Sequence, residues 1–156
     1  MAMTMSGQVI LPADRETVWR RLNDPETLKA CIPGCQTFER TGDNGFSAAA
    51  KLKVGPVSAT FRGTVELTEM DPPNSYRING QGEGGIAGFA KGGAKVTLSD
   101  PPDGVEGCVL SYEVEANVGG KIAQLGSRLI DGVAKKTADQ FFAAFAQAVT
   151  AGEVAA

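Results

Sequence analysis

From Met3 to Leu11 apolar and polar side chains alternate. Met3, Met5, Val9 and Leu11 fall on one face, and Thr4, Ser6 and Gln8 on the other. A period of two predicts a half-buried strand. Pro12 stops it, and Asp14 is placed to cap a short helix, with Thr17 at its third position. Val18, Trp19 and Leu22 give that helix an apolar face. Asp24-Pro25 ends it and opens a second short helical piece, with Leu28 and Ile32 turned inward, until Pro33-Gly34 breaks the pattern.

Six strand-like segments follow. Gln36 to Arg40 is short. Phe46, Ala48, Ala50 and Leu52 alternate with Ser47, Ala49, Lys51 and Lys53. After Gly55-Pro56 comes the cleanest alternation in the chain, with Ala59, Phe61, Gly63, Val65 and Leu67 opposed to Thr60, Arg62, Thr64, Glu66 and Thr68. Beyond the turn Asp71-Pro72-Pro73-Asn74, Tyr76, Ile78 and Gly80 oppose Arg77, Asn79 and Gln81. A glycine-rich run, GEGGIAGFAKGGAKVTL, becomes a strand and stops at SDPPDG. Last, Cys108, Leu110, Tyr112, Val114 and Ala116 oppose Ser111, Glu113 and Glu115. Short alternating strands between turn signals predict an antiparallel sheet with one wet face.

After Gly119-Gly120 the period changes. Ile122, Leu125, Leu129, Val133, Phe141, Phe145 and Ala148 recur at threes and fours, which predicts one amphipathic helix from Lys121 to Thr150, about 45 Å long. The tail at 151–156, AGEVAA, is expected to fray. The fold class is α+β: a single domain over 1–150, with a curved antiparallel sheet around a long C-terminal helix and two short helices after the first strand. Where sheet and helix diverge, such a fold leaves a gap that suits a small apolar ligand.

The 156-residue chain can bury roughly 70% of the surface its unfolded form exposes, so it needs no metal or disulfide to fold. A net charge of −3 and a pI of about 5.0 argue against a nucleic-acid partner. The chain has no histidine. That excludes Ser-His-Asp and Cys-His catalysis and the histidine-containing zinc sites. Cys31 and Cys35 flank Pro33-Gly34, with Cys108 distant. One pair without a second does not make a zinc site, and three cysteines do not make a secreted disulfide framework. The pair is read as two small residues around a helix stop. The N-terminus shows no basic and then apolar signal segment, and no apolar run would span a bilayer, so a cytoplasmic location is expected.

The stretches MSGQVILPADRETVWRRLNDPETLKACIPGCQTFE, GGIAGFAKGGAKVTL and GGKIAQLGSRLIDGVAKKTADQFFAAF resemble the CoxG family, the G subunits of carbon monoxide dehydrogenase, within the START/SRPBCC superfamily. The resemblance runs from Met3 to Val149. It implies a seven-stranded helix-grip domain with an internal apolar cavity and no resident cofactor, in which a quinone-like or lipid-like ligand is carried. It also implies a molybdenum hydroxylase of the carbon monoxide dehydrogenase type as partner, with peripheral contact at the inner face of the cytoplasmic membrane. Members that anchor do so through a C-terminal extension. Here only AGEVAA follows the helix, so soluble binding or shuttling is the expectation.

The cavity wall is expected from Phe46, Phe61, Tyr76, Ile78, Phe89, Tyr112, Leu125, Leu129 and Val133, with ordinary core as the plain alternative for each. Gly126 and Gly132, in the predicted helix, would open space there. Ile32, Pro33, Gly34 and Ile86 are expected at the cavity rim. The Gly84–Gly88 tip reads either as a plain edge hairpin or as an apolar contact, through Ile86, Ala87 and Phe89, for a membrane or partner. No nucleotide-binding role fits, because the glycine run leads into a strand, not a helix. Lys135-Lys136 reads as a solvated face. A buried hydroxyl of Tyr76 or Tyr112 could polarise a ligand carbonyl. Two alternatives therefore stay open beside a carrier: a cyclase/dehydratase-type enzyme on a hydrophobic aromatic substrate, and a scaffold with a filled core.

Overall fold

The computed structural model describes residues 1–155, with side chains as far as Thr150. The elements run β1 (Ala2–Leu11), α1 (Arg15–Leu22), α2 (Pro25–Cys31), β2 (Cys35–Arg40), β3 (Gly45–Val54), β4 (Val57–Asp71), β5 (Ser75–Glu83), β6 (Phe89–Ser99), β7 (Cys108–Gly119) and α3 (Ser127–Ala155). The strands form one antiparallel sheet in the order β1-β7-β6-β5-β4-β3-β2. Neighbours in sequence pair throughout β2 to β7, and β1 closes onto β7 with Met3 opposite Ala116 and Leu11 opposite Cys108. The two short helices carry the chain from one edge strand to the other, and α3 lies along the dry face. This is the α+β helix-grip arrangement that the sequence predicts.

Local chemistry sets the helix starts. Asp14 accepts the Thr17 backbone N–H at 2.7 Å, which satisfies one of the amide groups left free at a helix start. Asp24 does the same for α2, accepting from the Glu26 N–H at 3.3 Å and the Thr27 hydroxyl at 2.7 Å.

The long helix starts later than its periodicity predicts. Lys121–Leu125 is a 3₁₀ turn bounded by Gly120 at φ 81 and Gly126 at φ 95, and α3 begins only at Ser127. A 3₁₀ turn also puts residues i and i+3 on one side. Ile122 and Leu125 therefore keep an apparently helical spacing across the break. Gly126 lies outside the helix as its hinge, whereas Gly132 is inside it. At the other end α3 runs to Ala155, and residue 156 lies outside the described residues.

Two apolar clusters hold α3 to the sheet. The larger gathers Leu11, Val18, Leu22, Phe46, Leu67, Tyr76, Leu98 and Leu110 against Phe145 and Val149 near the helix C-terminus. Trp19 meets Tyr76 edge-on within it, ring centroids 5.3 Å apart. The smaller joins Val54, Ala87 and Val118 to Ile122 and Ile130 near the helix N-terminus.

Candidate functional site

Between the two clusters the inner face of the sheet changes character. Antiparallel register stacks its inward positions into rows across the strands. One row reads Ala48, Gly63, Gly82, Ala90 and Val118; the next reads Phe46, Val65, Gly80, Gly92, Ala116 and Met3. The middle of both rows is alanine and glycine. Side chains this short cannot reach α3. The helix answers with Ala134, Thr137 and Ala138, half-buried between Val133 in the smaller cluster and Phe141 in the larger. Val133 and Phe141 are eight residues apart, about 12 Å along the axis.

The result is an apolar cavity of about 370 Å³ whose lining includes Ala48, Ala50, Gly63, Gly80, Gly82, Ala90, Gly92, Ala94 and Ala116, with Phe61, Val65, Ile78 and Val114 as its larger apolar members. The burial pattern agrees. Inward residues at the two ends of the sheet are sealed, whereas Phe61, Val65, Ile78, Ala94 and Val114 in its middle are half-exposed. The charged neighbours Arg62, Lys91 and Glu115 belong to the opposite alternation and are exposed. Every backbone amide under such a floor is engaged in the sheet ladder, so the surface offered to a ligand is hydrocarbon.

A larger hollow of about 1020 Å³ lies on the outer face, lined by Thr64, Glu66, Arg77, Asn79, Gln81 and the β2–β3 loop. Its central charge is already engaged: Arg77 pairs with Glu115 at 2.6 Å and donates to Asn79 at 3.3 Å. The inner hollow, apolar and lined by five strands, is the better candidate site.

Of the side chains expected on the wall, Phe61 and Ile78 line this cavity. Phe46 and Tyr76, at 1% and 2% exposure, are sealed in the larger cluster instead, because α1 and the end of α3 cover that end of the sheet. Burial holds the Tyr76 hydroxyl firmly in its neutral form. Tyr112 stacks on Phe142, and Phe142 meets Phe141 edge-on, all three packed against the larger cluster and outside the cavity lining. Leu125 and Val133 pack on the smaller cluster. Leu129 is directed at the β3–β4 turn, its Cδ2 beside Gly55. Phe89 covers Gly119 from outside.

None of the expected rim residues Ile32, Pro33, Gly34 and Ile86 is among the lining. Gly34, at φ 74, ties the turn to β3 through its carbonyl, which accepts the Lys51 N–H at 2.9 Å. The small residues that form the floor were not in the expected set. Their signal is present in the sequence as glycine and alanine at inward positions of five successive strands, β3 to β7.

All three cysteines are free thiols, and burial raises the Cys31 and Cys108 thiols above their ordinary pKa. Among the described residues no three Cys, Asp or Glu side chains are grouped to hold a metal, and no helix is long and apolar enough to cross a membrane. Lys135 pairs with Asp139 at 3.1 Å on the solvated side of α3.

Comparison with known proteins agrees with this architecture. A family model described as CoxG, the G subunit of carbon monoxide dehydrogenase, matches residues 7–150. No protein with a curated description matches the chain. Among solved structures, a conserved protein from Geobacillus kaustophilus shares 30% identity, with a TM-score of 0.86 and 95% of each chain covered. The ZhuI aromatase/cyclase from Streptomyces sp. R1128 shares 13% identity at a TM-score of 0.68, covering 96% of this chain and 94% of that one. A protein from Thermus thermophilus shares 12% at 0.66, covering 96% and 99%. At those identities the last two show a common fold alone.

Proposed function

The chain belongs to the CoxG family, the G subunits of carbon monoxide dehydrogenase, and from that premise we propose that it is a non-enzymatic carrier of an apolar, quinone-like or lipid-like molecule. In this reading it serves as an accessory to a molybdenum hydroxylase of the carbon monoxide dehydrogenase type. It exchanges its ligand between the inner face of the cytoplasmic membrane and that enzyme.

The observation that carries the reading is the cavity floor. Two adjacent rows rich in glycine and alanine leave a hydrocarbon surface on the inner face of the sheet. A planar ring and its alkyl tail gain from covering such a surface at roughly 25 cal/mol per Å². A cyclase-type enzyme would instead need an acid or base aimed at the ligand. The side chains that border this cavity from the inner face are hydrocarbon. Of the two inner-face phenols, Tyr76 is turned into the packed cluster beside Trp19, and Tyr112 is stacked on Phe142 with its hydroxyl over Gly7 of β1.

The test is titration of the purified full chain with coenzyme Q1, a short-tailed quinone, followed by native mass spectrometry and thermal unfolding. One-to-one uptake supports the carrier. A protein that takes up neither coenzyme Q1 nor a fatty acid would sink it. Turnover of an aromatic polyketide would move the assignment to the cyclase reading.

A further inference from the structure

We propose that the end of the molecule built by the β5–β6 tip, the β7–α3 connection and the β3–β4 turn is a docking face for an anionic lipid bilayer. The inference deepens the carrier reading and rests on it, since it names where the carrier meets its source of ligand.

Three observations meet at this end. The first is apolar exposure. Ile86 is 90% exposed, Phe89 48% and Leu129 36%. Scattered apolar residues on a surface need no explanation, but these three belong to one rim. Gly88 of the tip lies against Gly120 of the connection, the Phe89 ring covers Gly119, and Leu129 reaches Gly55 of the turn.

The second is charge. Lys53, Lys121 and Arg128 are exposed around the rim and take part in none of the ion pairs among the described residues. Glu83 and Asp131 are the acids beside them. The loops at the opposite end carry Asp24, Asp43, Asp71, Asp100, Asp103 and Glu106; Arg21 and Arg15 pair with Asp24 and Asp100, Arg40 donates to the Asp43 carbonyl, and the acids remain in excess. A chain of net charge −3 thus gathers cations beside the apolar tip, whereas the exposed Ile10 and Val105 at the opposite end lie among acids. Cations around exposed aliphatic and aromatic groups match an anionic headgroup layer over hydrocarbon.

The third is continuity with the cavity. Phe61 lines the cavity, and its ring lies against Gly84 at the base of the tip. The tip turns on Gly85 at φ 64 and Gly88 at φ 122. The apolar path from rim to floor therefore passes one side chain.

The experiment is co-sedimentation of the full chain with vesicles of phosphatidylglycerol and phosphatidylcholine in equal parts, and with phosphatidylcholine alone. Binding is expected to the mixed vesicles and to weaken with salt. Ile86→Glu, alone or with Phe89→Glu, should lower it by about tenfold or more. Lys121→Glu with Arg128→Glu should do likewise, at about fivefold for each cation removed. Val105→Glu, the same kind of change at the acidic end, should leave binding unchanged. Ile86 is so exposed that its variant keeps the fold, which circular dichroism would confirm.

Equal binding to both vesicle types, wild-type binding by the tip variants, or an equal loss in Val105→Glu would each overturn the proposal. Capture of the hydroxylase by the same face with no vesicle binding would overturn it too. Coenzyme Q1 uptake in lipid-free buffer is measured on the same proteins. Uptake intact with vesicle binding absent condemns the docking face alone, and uptake absent in the wild type condemns the carrier reading.

Discussion

Gly80 and Gly92 are partners across β5 and β6, yet they answer to different constraints. A Cβ on Gly80 would sit 3.6 Å from the Thr64 carbonyl oxygen and 3.8 Å from Val65 Cγ2, ordinary contact. One on Gly92 would run into the Glu115 carbonyl and come within 2.7 Å of Ala116 Cα. Gly80→Val should therefore fold with at least wild-type stability, since valine suits a strand, and should abolish coenzyme Q1 uptake by filling the floor. Gly92→Val should lose about 3 kcal/mol in urea unfolding. A Gly80→Val protein that still takes up the quinone would place the ligand elsewhere. The thiols give a second check. Burial raises the Cys31 and Cys108 pKa, so less thiolate is present at pH 8 than in a free cysteine. Maleimide labelling of Cys31 and Cys108 in the native chain should be slow there and should rise over a higher pH range than labelling of the same thiols in the urea-unfolded chain, which peptide mass mapping reads separately from Cys35. At this scale the sequence was legible in the wrong alphabet. Large aromatic letters attract attention as a wall, but Phe46 and Tyr76 are the ones most completely packed. The open surface belongs to residues too small to look like a site.

At the scale of elements the alternation was readable because each strand keeps one wet face. Seven strands and two capped short helices lie where period and caps put them. The start of α3 was not readable, because a 3₁₀ turn preserves the spacing on which a helix is recognised. That difference separates two glycines which look alike in the sequence. Gly132 lies inside α3 with nothing within 4 Å of where an added methyl group would sit, so Gly132→Ala should stabilise the protein by about 1 kcal/mol. Gly126 has equal space but sits at φ 95, and Gly126→Ala should cost about 1–3 kcal/mol. Paired urea melts check both signs. Equal, stabilising effects would mean that the helix runs unbroken from Lys121.

At the scale of the molecule, register does what no single strand predicts. The rows of small residues form because β3 to β7 align alanine and glycine across four strand pairs, and the basic rim forms because turns far apart in sequence share one end. Binding to such a cavity stabilises the native state by mass action. Coenzyme Q1 at a hundred times its dissociation constant should raise the unfolding free energy by about 2.7 kcal/mol. That gain should vanish in Gly80→Val and persist in Ile86→Glu. The two clusters that clamp α3 also divide labour with the floor between them. The sealed packing is at the ends, in Phe145 and Leu110 on one side and Ile122 and Val118 on the other; Phe61, Val65 and Ile78 pack on the cluster edges, and the glycines and alanines between them are the open middle. Residues there can change without endangering the fold, as long as the backbone-limited Gly63 and Gly92 are spared. On the carrier reading, ligand choice in this scaffold would drift one methyl group at a time, each strand offering an adjustment of depth. A sequence that keeps the frame would then change its cargo long before it changes its shape.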